Sequence, residues 1–377
     1  MKRTSIMFIG MILAGNAYAD ISIEGFNDGI HHYQNKNGKD YPRYKESETV
    51  KIADNLLLYQ KNVGGWVENQ DPLRILSDEE VNKIAAGKSD LRISFDNRNT
   101  YTQVIYLAYA YQETGDKRYA DAALKGLRYT LNQQYKICGG WPHTIPPKPA
   151  TKNENTNYHR YITNADDITS GILTMLRRVI NEPKTFDFVD EHTKTVAEKA
   201  IQSGDECLLR TQLVQNGVKT GWAGQYDPES LEPKGGRSYE LTSILTQETI
   251  GVLEYLMSIP NPSPEIINSV NSAVTWLKKS AIPGIRIEKF QAEKEQYQWH
   301  SSDWDRRLVK DPAAPPMWAR FYDINDNSVI LANRDGNRVD SYDKIARERR
   351  TGYSWYGTWP TKLLDTTYPK WLKKNSK

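Results

Sequence analysis

Cysteine is scarce in this chain: only Cys138 and Cys207 occur, without the close pairs or added histidines a zinc site needs. An exported protein permits a bridge, but two cysteines far apart in sequence cannot be paired without geometry, and the sequence leaves the pairing open. Long apolar runs are also missing. After the N-terminal segment no stretch approaches about 18 consecutive apolar residues, which excludes a membrane-spanning helix of the ordinary kind. Charge of one sign is lacking, with 50 Lys and Arg against 47 Asp and Glu. A balance this even points to neither nucleic acid nor a membrane surface as partner. There is no flexible linker and no EF-hand spacing.

What is present begins at the N-terminus. Lys2 and Arg3 precede the apolar run Ile6 to Leu13, and Ala17-Tyr18-Ala19 closes the segment before Asp20. That is the layout of a secretory signal peptide, and the run is too short to span a bilayer. Residues 1–19 are therefore read as removed, leaving one domain over residues 20–377 in a monomer that is periplasmic or secreted. Loss of Lys2 and Arg3 takes the formal charge from +3 to +1.

A marker recurs along that domain. "YQKNVGGW" ends at Trp66, "NQQYKICGGW" at Trp141 and "TQLVQNGVKTGW" at Trp222. Each follows a helix-like stretch and precedes an irregular one, after which an amphipathic helix resumes. Helical spacing of apolar residues predicts helices over Lys117–Leu131, Asp167–Ile180, Tyr239–Leu256 and Pro264–Lys279. Strand-like alternation is short and rare, with a short hairpin expected within Arg320–Gly336. The fold class is mainly α: three helical hairpins with long loops set around an axis. A tetratricopeptide scaffold repeats about every 34 residues, less than half the interval between these markers.

Polar clusters follow each marker: Asp96 and Asn97, then Asn164, Asp166 and Asp167, then Lys234 and Arg237. Equivalent loops of repeated hairpins share one end of the molecule, so two acidic clusters and a basic one converge. Asp or Asn before a helix is by itself an N-cap. Paired oxygen donors from two loops instead suit calcium, which takes six to eight oxygens. Aromatic residues crowd the loops, among them Trp66, Trp141, Trp222, Trp304, Trp318, Tyr353, Trp355, Tyr356 and Trp359. Core packing accounts for some of these; beside Arg320 and Arg334, exposed rings and guanidinium forks suit an anionic sugar chain.

In order, "GGW", "FDNRNTYTQ", "GGWP", "ITNADD", "GRSYELTS", "MWARFYDI", "NRDG" and "GYSWYGTWP" resemble the pectate lyases of polysaccharide lyase family ten, over roughly residues 45–361. The resemblance implies an (α/α)3 toroid and calcium-assisted β-elimination of α-1,4-polygalacturonate to 4,5-unsaturated oligogalacturonates. It implies Asp96, Asn97 and Asp166 as calcium ligands and Arg237 as the base, with Lys234 a fallback. Arg320, Arg334, Asn97 and Tyr356 become substrate contacts. The chain departs from the family at Val67-Glu68-Asn69, in "PHTIPPKP" after Trp141, and at Asp167. Two other functions stay open: an unsaturated uronyl hydrolase on an α/α scaffold, and a non-catalytic acidic-glycan binding protein.

Overall fold

The computed structural model describes residues 21–147, 157–298 and 300–375; the expected leader over residues 1–19 lies outside them. Eleven helices follow in order among these residues: α1 Asn27–Asn37, α2 Thr49–Tyr59, α3 Asp78–Ala86, α4 Tyr101–Thr114, α5 Lys117–Asn132, α6 Ile168–Asn181, α7 Glu191–Thr211, α8 Thr246–Ser258, α9 Pro264–Lys279, α10 Arg347–Gly352 and α11 Tyr368–Asn375. The pairs α4–α5, α6–α7 and α8–α9 are the three expected hairpins. They pack in two rows, because α4 touches α6 and α6 touches α8, while α5 touches α7 and α7 touches α9.

Local chemistry sets these helices. Asp116 accepts a hydrogen bond from the Arg118 amide to open α5, as Asp190 does from Thr193 for α7 and Ser263 from Ile266 for α9. The face of α5 read from spacing (Tyr119, Ala122, Ala123, Gly126, Leu127 and Thr130) is buried. Gly126 is required there: a Cβ would sit 2.7 Å from Val104 and 2.8 Å from the Trp66 ring. The helix expected from Tyr239 starts only at Thr246, because residues 239–245 form a turn and a short strand.

The marker tryptophans belong to the core, which corrects their reading as sugar-stacking candidates. Trp66, Trp141, Trp222, Trp318 and Trp355 are all buried. Each marker indole donates to a carbonyl of the helix before it: Trp66 to Leu56, Trp141 to Thr130 and Trp222 to Leu208, at 2.8, 2.9 and 2.7 Å. Trp318 repeats the bond to Leu277 at 2.7 Å, which makes it a fourth marker. A glutamine works beside each of the first three. Gln60 Nε2 donates to Gly64 and Ala122, Gln134 Nε2 to Gly139 and Ala200, and Gln212 Nε2 to Thr220 and Ser269. One carbonyl lies in the glutamine's own turn and the other in the next outer helix.

Two features were not legible in the sequence. Cys138 and Cys207 form a disulfide, with Cα atoms 4.8 Å apart; packing of the second marker turn against α7 brings together residues that sequence distance kept apart. The segment after Ile282 contains a two-stranded antiparallel ribbon, Ile285–Gln296 with Ser301–Lys310. Most of its side chains are exposed on both faces, so no apolar alternation marks it. Only Ile287 and Leu308 pack against a core cluster. The short hairpin expected within Arg320–Gly336 is present as the antiparallel bridge Tyr322–Val329, and a second pairs Leu331–Ala332 with Arg338–Val339. No helix among the described residues is long and apolar enough to cross a membrane.

Replacing Gln212 by Ala leaves two buried carbonyls and the Ser269 hydroxyl without that partner. The expected loss is about 1–3 kcal/mol of unfolding free energy, read from denaturant melts; an unchanged midpoint would refute the stitching role.

Candidate active site

The repeat places the loops that matter. Three short strands, Ile93–Ser94, Ile162–Thr163 and Ile244–Leu245, each pair with a strand just beyond the next marker: Ile93 with Ile145, Ile162 with Tyr226, Ile244 with Tyr322. The amide after each strand start donates back to its own marker, as in Ser94 to Trp66, Thr163 to Trp141 and Leu245 to Trp222. The next amide donates forward, Phe95 to the His143 carbonyl, Asn164 to Gly224 and Thr246 to Arg320. Every loop is thus fastened to two successive units.

The first two loops then make the same 3-10 turn, Asp96–Arg98 and Ala165–Asp167. Asn97 and Arg98 in one, and Asp166 and Asp167 in the other, have φ between 52° and 60°. Such left-handed geometry is uncommon outside glycine and marks sites whose surroundings hold strain. The equivalence pairs Asn97 with Asp166 and Arg98 with Asp167, and puts Asp96 opposite Ala165. Arg98 and Asp167 bridge the two turns at 2.9 Å. The third loop lacks the left-handed turn and enters α8 directly, carrying Glu248. No side-chain cap is made at the starts of α4 or α6, so the acidic residues are not there as N-caps.

Asp96 and Asp166 meet, and a third group joins them. Their carboxylates and the His143 imidazole each bring an atom within 4.8 Å of the others; His143 Nε2 lies 3.3 Å from Asp96 Oδ1. Burial pushes the Asp96 pKa up, but His143, Arg237 and a hydrogen bond with Asp166 hold it below the ordinary value. Burial and the Asp96 charge raise Asp166 to about 8, against the pull of Arg237 and Arg320. Burial opposes charge on His143, yet Asp96 and Asp166 prevail and its pKa is raised.

Arg237 enters from a loop ahead of the third strand rather than from the repeat-equivalent position, which Glu248 takes. Its Nε and Nη2 bond to Glu240 at 3.1 and 3.0 Å, and Tyr353 donates to the same carboxylate at 2.8 Å. The side chain stays 49% exposed. Burial works against its charge, but Glu240 and the neighbouring tyrosines raise its pKa well above the ordinary value. Arg320 is partly buried, pairs with Glu248 at 2.8 Å and lies over the Tyr353 ring at 4.8 Å. Arg320 Nε and Glu248 Oε2 are buried without hydrogen-bond partners among the described residues. Arg334 bonds to Glu348 through Nε and Nη2 at 3.3 and 2.6 Å and faces the Tyr239 ring at 5.4 Å.

The remaining expected residues have partners of their own. Asn97 Nδ2 donates to Asn69 Oδ1 at 2.8 Å, and Asn97 lines a small cavity with Gly29, Asn69 and Gln70. Tyr356 packs between two apolar clusters, with Tyr342 at 5.8 Å. Lys234 pairs with Glu232 at 2.9 Å, and this bond raises its pKa. Sequence reasoning missed His143, Glu240, Glu248 and Glu348. A signal existed for the first: His143 and Arg320 are both the second residue after a marker tryptophan. His32 of α1 also went unnoticed; burial lowers its pKa, and it feels both Asp96 and Arg237.

The family model for pectic acid lyase matches residues 60–364. This chain belongs to the pectic acid lyase family. Two solved structures of the family 10 polysaccharide lyase from Cellvibrio cellulosa resemble it closely. A mutant in complex with trigalacturonic acid shares 26% identity, covering 93% of this chain and 99% of that one, with a TM-score of 0.72. The other shares 27% identity over 93% and 98%, with a TM-score of 0.71. No curated protein is a significant sequence match. The lyase therefore carries the (α/α)3 toroid that its three hairpins indicated.

The centre of the lyase fits a divalent cation. Two carboxylates from separate loops are pressed together until one keeps a proton well above the ordinary range, a repulsion that a cation relieves. Asn164, two residues before Asp166, is buried and its Oδ1 has no hydrogen-bond partner among the described residues. Near pH 7 a cation must displace the Asp166 proton. Calorimetry in buffers of different ionisation enthalpy is expected to show proton release on calcium binding, with affinity rising by up to about tenfold per pH unit until pH 8. Binding independent of pH between 6 and 8 would contradict the raised Asp166 pKa.

Proposed function

We propose that this lyase cleaves polygalacturonate by β-elimination at the cleft holding Asp96, Asp166 and Arg237. The observation that carries the proposal is the convergence of two loop carboxylates with Arg237 and Arg320, whose charges act on Asp166, within a chain of the pectic acid lyase family. Trigalacturonic acid bound to the Cellvibrio relative supports a galacturonate substrate.

The C5 proton of galacturonate lies α to a carboxylate, and its removal builds negative charge on that group, which the site must stabilise. Asp96, Asp166 and Asn97 would hold calcium, which when bound supplies Lewis-acid polarisation of the substrate carboxylate. Arg320, with Nε unpartnered in its buried setting, receives a substrate carboxylate as a fork. Arg334 does the same by exchanging its Glu348 bond, and Tyr356 flanks the sugar chain. Arg237 takes the C5 proton. Glu240 occupies Nε and Nη2, leaving Nη1 for the substrate. A charged guanidinium accepts no proton, and Glu240 raises its pKa further. Arg320 beside it, and a cation on Asp96 and Asp166, act in the opposite sense. As the C4–O4 bond breaks, the C5 electron pair forms the 4,5 double bond and the leaving oxygen takes a proton.

Export is part of the same reading. The leader pattern supports it, and so does the Cys138–Cys207 bridge, since disulfides persist in oxidising compartments.

Ultraviolet absorbance of the unsaturated product on polygalacturonate tests the reading. Chelator is expected to abolish the rate, and Arg237→Ala to lower it about 10²–10⁴-fold, while an uronyl hydrolase would consume the chromophore instead. The wild-type rate should climb from neutral to alkaline pH, as Asp166 loses its proton and Arg237 is less fully charged. Full activity of Arg237→Ala would remove that residue from proton transfer.

A further inference from the structure

His143 is the one member of the acidic centre that offers nitrogen. Its imidazole is only 7% exposed and is held from several sides. Nδ1 meets Thr144 Oγ1 at 2.8 Å. The ring packs against Tyr158 and His159, with centroids at 5.2 and 5.1 Å. Its backbone is fixed as well, the amide donating to His159 and the carbonyl accepting from Phe95. The backbone bonds seat residue 143 beside the strand that leads to Asp96, and the Thr144 bond and the two ring contacts orient the imidazole.

That leaves Nε2 aimed at the two carboxylates, 3.3 Å from Asp96 Oδ1 and within 4.8 Å of a donor atom on Asp166. In the tautomer whose Nδ1–H donates to Thr144 Oγ1, the lone pair of Nε2 faces the centre. A second partner on the other ring nitrogen is the usual way in which a metal-binding histidine is oriented. A hard cation such as calcium prefers oxygen throughout, whereas imidazole nitrogen favours first-row transition metals, following the order in which Ni²⁺ exceeds Mn²⁺.

We infer that His143 Nε2 is a third protein ligand, so that the centre is a mixed nitrogen and oxygen site that binds transition-metal dications more tightly than calcium. This rests on the reading that Asp96 and Asp166 hold a cation. In the alternative, His143 is only a positively charged partner for Asp96 and departs from any bound ion.

Two measurements on the whole protein separate these. In Mn²⁺-loaded wild type, electron spin-echo envelope modulation is expected to show coupling to a ¹⁴N nucleus, lost in His143→Gln. Calorimetry is expected to give Ni²⁺ an affinity at least about tenfold above calcium in wild type, with that preference lost in His143→Gln. Bound Mn²⁺ with no nitrogen coupling overturns the inference while leaving the cation site standing, and needs no variant. Equal Ni²⁺ affinity in wild type and His143→Gln also overturns it. Failure of wild type to bind any of the three ions overturns both readings.

Discussion

Three successive helices, α2, α5 and α7, end in the same pair of bonds: a tryptophan indole donating back to a helical carbonyl, and a glutamine amide reaching both its own turn and the next helix. These are buried polar groups, and burial without partners is costly. Rotating one hairpin against the next would break the glutamine bond that reaches the next helix. The hairpin angle is therefore fixed by hydrogen bonds at the loop end as well as by apolar packing along the helices. The three short strand pairs lie directly beyond these clamps, which is why loops far apart in sequence repeat the same path.

Placing Asp96 beside Asp166 is unfavourable for an empty site. The structure meets that cost with a proton on Asp166, with His143 against Asp96, and with Arg237 and Arg320 nearby. Left-handed backbone at Asn97, Arg98, Asp166 and Asp167 adds strain at the same place. The mutual repulsion of the two carboxylates is what a divalent cation placed between them would relieve. Arg98 bonding to Asp167 keeps the two turns in contact.

Behind the cleft a second layer holds the arginines. Glu240 and Tyr353 orient Arg237, Glu248 orients Arg320, and Glu348 of α10 orients Arg334 and Arg349. Tyr239 lies under Arg237, Arg334 and Arg349, with Arg349 at 4.5 Å. The ribbon is tied into this layer: Arg350 of α10 binds Asp305, and Arg347 binds Glu295. Its docking helix also supplies Glu348. The projecting strands and Arg334 thus share one short helix.

The helices over residues 117–131, 167–180 and 264–279 were legible because apolar spacing and capping residues are local properties of the chain. The tryptophan markers and the loops bearing Asp96 and Asp166 were legible for the same reason, as repeats. The repeat alone would have pointed to Glu248 in the third unit and not to Arg237. Local pattern misled where side chains serve distant partners. The marker tryptophans stand in loop-like sequence but bury themselves against a preceding helix, and the ribbon shows no alternation because both its faces meet water. Packing alone joined Cys138 to Cys207 across the second marker turn. It also brought His143 to the carboxylates, and set Glu240 against Arg237 so that its charge is reinforced. Sequence by itself determined the hairpins and which loops carry acid and base. Tertiary structure decided which side chains share one low-dielectric centre, since proton affinities and ligand sets depend on distances that no single segment contains.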